Sequence, residues 1–206
     1  MPTTSAQSPT AAASSARDGG TAAWQQPANA LASDDTRTRV ALGAGASSQW
    51  LLLTGFDFSA IPEGAAIQGV TATVERWADP LAGADVRDAE VRLVLAGSPA
   101  GGDKALPGTW PSSAGAEASA SYGGAADPWG LPLARADVLD PGFGLAVAAR
   151  EAGGAESGQA WVDHATLAVA YQEAASAGAA PAVVSAAARA FHPARNPYLQ
   201  SFPGAS

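Results

Sequence analysis

Ile67-Gln68-Gly69-Val70-Thr71-Ala72-Thr73-Val74-Glu75-Arg76-Trp77 alternates: Val70, Ala72 and Val74 fall on one side of an extended chain and Thr71, Thr73 and Glu75 on the other. A period of two is the pattern of a strand with one face buried and one face wet. The same rhythm returns downstream. Glu90 to Ala96 sets Val91, Leu93 and Leu95 against Arg92, and Phe143 to Ala149 repeats it through Phe143, Leu145 and Val147. Gln159 to Tyr171 places Trp161, Leu167, Val169 and Tyr171 on one side. Upstream, Thr36 to Leu42 and Gln49 to Phe58 are further apolar runs, and Ile61-Pro62-Glu63-Gly64 supplies a turn. No stretch carries an apolar stripe at helical spacing between caps, apart from one turn around Leu133 to Val138. Short strands broken by turn residues, without the crossover helices a parallel sheet needs, predict an all-β fold, an antiparallel β-sandwich or jelly roll.

The strands occupy residues 23–172. Residues 1–22 are mostly Ser, Thr, Ala, Pro and Gly and hold too little apolar surface to offset the entropy of ordering, so they are expected to form a flexible or extended N-terminal arm. Residues 173–206 form an Ala/Pro-rich linker and tail, with a short helix expected at Pro181 to Phe191 and polyproline-like chain beyond it. Within this tail Arg189, Phe191, Arg195, Tyr198, Leu199 and Phe202 are the expected docking residues, because spaced aromatics give contact area at low rotamer cost. From Glu173 onward the tail carries two Arg and one Glu, whereas the chain as a whole carries −8. That asymmetry favours docking on an acidic surface.

Composition narrows the chemistry. The apolar share is 47%, but 53 of the 206 residues are alanine, so bulky apolar side chains make up only about a fifth. Cysteine is absent, which removes disulfides, thiolate metal sites and a cysteine nucleophile. Nineteen acidic against eleven basic residues leaves no electrostatic footprint for nucleic acid. No apolar run is long enough to span a bilayer, and no secretory signal pattern opens the chain, so synthesis in a host cytoplasm without membrane association is expected.

Motifs with catalytic overtones do not assemble. Gly43-Ala44-Gly45 lacks the third glycine and the helix of a dinucleotide site and reads as a hairpin loop; Gly97 to Lys104 places Asp103 where a phosphate loop needs its lysine. Asp163-His164 puts neighbouring side chains on opposite faces of a strand, which prevents a general-base pair. Asp34, Asp35, Asp85, Asp88, Asp127 and Asp140 lack calcium-loop spacing and read as turn residues. No catalytic residue, metal or cofactor is expected. The six tryptophans are expected mainly to plug the alanine-thinned core or a sheet edge; Trp110 beside Pro111 and Trp129 beside Gly130 fall in loops, and are the expected platform if the chain binds a glycan.

Several pieces, in order, resemble a domain found among proteins of tailed bacteriophages and prophages. They are Trp24 to Asp35, Gly55-Phe56-Asp57-Phe58 with Ile61-Pro62, and Ile67 to Arg76. The likeness continues through Tyr122-Gly123-Gly124, Asp127-Pro128-Trp129-Gly130, Ala136-Asp137-Val138, Asp140 to Gly144 and Val162-Asp163-His164. The resemblance covers about Trp24 to Tyr171 and implies a virion-associated structural β-sandwich: a head decoration, fibre or tail accessory. It implies other virion proteins, capsid or tail components, as partners, and no catalytic residues. A second copy of the chain and a surface glycan are further candidate partners, the latter making the chain an adhesion module on the particle exterior.

Overall fold

The structure, a computed structural model, describes residues 1–80, 85–112, 118–153 and 157–174. All its regular elements belong to one unit, Met1–Ala174. The strands are β1 (Ala11–Ser15), β2 (Thr38–Leu42), β3 (Trp50–Thr54), β4 (Ala66–Pro80), β5 (Val86–Leu95), β6 (Ser98–Ala100), β7 (Ala118–Gly123), β8 (Gly144–Glu151) and β9 (Gly158–Gln172). They form two antiparallel sheets, ordered β1-β3-β8-β5-β6 and β2-β9-β4-β7. A 3-10 turn (Pro27–Ala30) and one short helix, α1 (Arg135–Leu139), complete the set. In α1 the Asp137 carboxylate accepts the backbone N–H of Ala134 at 2.8 Å, satisfying a donor that the helix start leaves open.

Inner faces of both sheets supply one core. Leu51, Leu53, Val91, Leu93, Leu145 and Val147 come from one sheet; Val40, Leu42, Val70, Val74, Val162 and Leu167 come from the other. Alanines at Ala72, Ala78, Ala149, Ala160 and Ala165 thin this layer, and aromatics fill what they leave. Phe58 and Phe143 meet edge to face at 6.0 Å, the geometry their ring quadrupoles favour. The Gly43-Ala44-Gly45 segment is not a hairpin loop: it joins β2 to β3 and so carries the chain from one sheet to the other. A two-residue hairpin does lie at Ala96-Gly97, between β5 and β6, where both residues adopt positive φ (47° and 78°) as this tight turn requires.

Residues 1–22 are built into the sandwich rather than held out as an arm. Thr4 and Gln7 donate backbone N–H groups to Val169 and Leu167 of β9 at 2.9 and 2.8 Å. Four residues past Gln7 the same segment changes sheets, and β1 pairs with β3 from Ala11↔Thr54 to Ser15↔Trp50. Poverty in bulky side chains does not prevent this, because ladder pairing is made by the backbone and a neighbouring strand supplies the hydrophobic surface. Removing residues 1–15 would expose the β3 edge and orphan its N–H and C=O groups. The expected result is a lowered thermal midpoint and concentration-dependent association in sedimentation velocity; an unchanged monomer would show that this edge needs no cover.

Candidate functional site

Neither loop tryptophan forms a platform. Trp110 is 1% exposed and Trp129 is fully buried, so no sugar can stack on either ring, and the expectation is corrected. Each is drawn inward by its indole N–H, which needs a partner once the ring leaves water.

For Trp110 the partner is Asp88, which its N–H reaches at 2.8 Å. Asp88 also pairs with the Arg76 guanidinium and accepts the Leu106 backbone N–H at 2.9 Å and the Tyr122 hydroxyl at 3.2 Å. Arg76 in turn lies over the faces of Trp110 (4.8 Å) and Tyr122 (5.6 Å). Two opposite charges therefore sit inside the sandwich within a cage of donors and rings, which is what makes burying them tolerable. Arg76 faces inward because it keeps the phase of Val70, Ala72 and Val74. Asp88 faces inward because a bulge between Asp88 and Glu90 shifts the alternation of β5.

Burial pushes the Tyr122 hydroxyl far above the usual tyrosine range, and the adjacent Asp88 charge adds to the shift. A raised folded pKa contributes stability that is complete below the unfolded value, near 10, and is lost as pH rises beyond it. The Tyr122 phenolate signal, isolated as the absorbance difference between the parent and Tyr122→Phe, should therefore appear only together with alkaline unfolding. Ionisation at ordinary alkaline pH in a folded chain would contradict this burial.

Trp129 is held from three sides. Its indole N–H donates to the Val70 carbonyl at 2.8 Å, its backbone N–H to Asp127 at 2.8 Å, and Lys104 lies 5.9 Å from its ring centre while pairing with Asp127 at 2.7 Å. The Lys104 hydrogen bond holds the Asp127 carboxyl below its ordinary range. Gly123 passes so close that an added Cβ would lie 2.4 Å from the Trp129 nitrogen, and its φ of +68° is itself a glycine conformation.

The tryptophans that reach solvent are two others. Trp77 of β4 and Trp161 of β9 are register partners on the outer face of the four-stranded sheet, half-buried and stacked at 5.4 Å with planes 7° apart. Arg39 of β2 lies 5.5 Å over the Trp161 ring, so the row across three strands reads cation, indole, indole. One step along the same face is a hollow of about 290 Å³ lined by Ser33, Asp34, Asp35, Glu75, Ser119 and Asp163. Glu75 and Ser119 are register partners on β4 and β7. Arg37 neutralises Asp35 at 2.7 Å, and Asp163 accepts the Asp35 N–H at 3.4 Å.

Trp77 was legible as an outward residue, being in phase with Thr71, Thr73 and Glu75. Trp161 was not. A bulge sets Glu75 opposite His164 and Arg76 opposite Val162, reversing the phase of β9. Trp161 therefore points away from Leu167 and Val169 instead of sharing their side. The same bulge separates Asp163 from His164, whose ring nitrogen meets the Ser8 hydroxyl at 3.0 Å. The acidic turns are dispersed: Asp85 pairs with Arg87, Asp140 accepts the Gly142 N–H, and Asp103 accepts the Val91 and Ala105 N–H groups. Among the described residues no group of side chains has the arrangement of a metal site. The docking residues Arg189, Phe191, Arg195, Tyr198, Leu199 and Phe202 lie outside the described residues. No described helix is long and apolar enough to cross a membrane.

Comparison of the chain with protein-family models, with curated proteins and with solved structures finds no match.

Proposed function

We propose that the chain is a structural component of a tailed-phage-like particle, a head decoration, fibre or tail accessory part, localised to the virion and attached through its C-terminal tail. The observation that carries this reading is strand order. With β1 set aside, β2-β9-β4-β7 faces β3-β8-β5-β6, the succession of two Greek keys in a jelly roll, an architecture that recurs in viral capsid domains. That is an argument by architecture, and the sequence resemblance to phage proteins supports it independently. The N-terminal segment is spent on the chain's own sheets, so attachment falls to the tail, whose two arginines suit an acidic neighbour.

The test is to purify particles from the source of the gene and quantify the chain against the major capsid protein by mass spectrometry. A near-stoichiometric ratio would identify a head decoration, and a few per cent a tail or vertex part. Deleting residues 181–206 should leave the circular dichroism of the sandwich intact and abolish incorporation. Absence of the chain from particles, or full incorporation of the truncated form, would overturn the proposal.

A further inference from the structure

We infer that the free edge of β7 docks a second copy of this chain, two β7 strands pairing antiparallel about a two-fold axis so that both four-stranded sheets join into one. This pairing goes beyond the particle role and stands without it. A sheet edge presents a row of unpaired backbone groups, and folded chains cover or blunt such rows. Three of the four edges here are treated in that way. β2 is covered where Gln25 and Arg39 exchange backbone hydrogen bonds at 2.8 and 3.3 Å. β1 lies against the 3-10 turn, and its Ser14 hydroxyl accepts the Trp24 amide at 3.0 Å. β6 is three residues long, and Pro99 at its centre has no N–H to offer. β7 has none of these devices: Ala118-Ser119-Ala120-Ser121-Tyr122-Gly123 runs without a bulge, a charge or a proline. The Gly124 amide bonds the Val70 carbonyl at 3.1 Å, which sets the alternation. Tyr122, Ala120 and Ala118 turn their backbone groups to β4, and Ser119, Ser121 and Gly123 turn theirs away. All three of the latter are exposed, and among the described residues no backbone hydrogen bond reaches them from elsewhere.

The strand fits its own copy. Set antiparallel about Ala120, Ser119 meets Ser121 of the second copy on the outer face, where the hydroxyls can bond each other, and Ala120 meets Ala120 without a clash. An uncharged strip is also where two chains of charge −8 approach with least repulsion. Glu75, the β4 carboxylate beside Ser119, would sit at least three strand spacings from its counterpart, about 14 Å, beyond the screening length of about 8 Å at physiological salt. Leu106 adds an apolar contact. It is the one exposed large apolar side chain besides Met1 among the described residues. It lies on the β7 side of the sandwich, its amide and the Tyr122 hydroxyl sharing the Asp88 carboxylate. A strand pair this short buries less than the roughly 1,200 Å² of a standard interface, so the dimer is weak: dilute chain is monomeric and crowded chain pairs.

The test is sedimentation velocity of the full chain from dilute to near-millimolar concentration. Expected is a monomer–dimer equilibrium weakened about tenfold or more by Ser121→Lys and by Ser121→Pro, the proline removing an N–H that β4 does not use. Thermal midpoints of both variants, measured on dilute monomer and close to that of the parent, show that the sandwich is intact. The chain has no cysteine, so Ala120→Cys places one thiol per copy at the two-fold axis, where mild oxidation should link the dimer. Ala60→Cys, in the exposed connection between β3 and β4, should not link it. Overturning results would be a monomer at every concentration, association untouched by both variants at position 121, or linking no better at position 120 than at position 60. Because these measurements require no particle, failure here leaves the structural role standing, and failure of incorporation leaves this edge standing.

Discussion

Asp88→Ala should destabilise the sandwich by about 3–5 kcal/mol, a large part of the roughly 5–15 kcal/mol that holds a domain folded. The alanine removes the carboxylate that pairs with Arg76, leaving a residue that is 5% exposed without that countercharge. It also strips an acceptor from the Trp110 indole, the Tyr122 hydroxyl and the Leu106 amide. Each loss alone is of the order of 1–3 kcal/mol when the donor stays buried. Asp88→Asn keeps an acceptor oxygen and should fall between parent and alanine. A double replacement, Arg76→Met with Asp88→Leu, removes both charges, so it should cost less than Asp88→Ala alone. It cannot reach the parent, because three neutral donors remain unanswered. Urea denaturation followed by far-ultraviolet circular dichroism gives all three values. A loss below about 1 kcal/mol for Asp88→Ala would show that the carboxylate contributes little beyond filling space.

Trp129→Ala should cost a similar amount, about 3–5 kcal/mol, through the cavity left by a fully buried indole. Here the backbone makes a sharper forecast than the volume. Trp129 has a φ of +58°, a conformation that penalises any side chain by roughly 1–2 kcal/mol and glycine hardly at all. Trp129→Gly, the smaller replacement, should therefore be no less stable than Trp129→Ala, against the usual order in a core. Gly123→Ala probes the same contact from the other side, since its Cβ would press on the Trp129 nitrogen and the Val70 carbonyl, each 2.4 Å away. A clearly more stable alanine at position 129 would mean that the left-handed turn relaxes when the ring is gone.

The strands that sequence reveals are those whose burial is paid in bulky side chains. β4, β5, β8 and β9 announce themselves through Val, Leu and Phe at alternate positions, though the bulges that set their register do not. β1 and β7 do not, because Ala11–Ser15 and Ala118–Gly123 contribute mainly backbone pairing to edges made elsewhere. Alanine and serine carry no period to read. The choice of Trp110 and Trp129 as the tryptophans to reach solvent failed for a related reason, while the expectation that the rings mainly fill the core held for them. Proximity to Pro111 and Gly130 marks a loop, but a loop can fold its ring inward when a buried acceptor awaits the indole N–H. On β9, one extra residue reverses inside and outside, and nothing in Val162-Asp163-His164 signals the insertion. Arg76 was the clearest unread signal: a charge in the apolar phase of the best strand requires a buried countercharge, and Asp88 supplies it.

The pairing of Thr3 with Ala170 has a mechanical consequence. Because the first residues run antiparallel to the last strand, the two ends of the sandwich leave it side by side, and the Tyr171 amide donates to Pro2 itself. Tension applied between these ends pulls across the hydrogen bonds one at a time, as a zipper opens, rather than shearing the whole ladder at once. The first residues should peel away under small loads while β2 to β9 remain packed, then close again when the load is released. A part carried on a jostled surface would yield at its seam before its core.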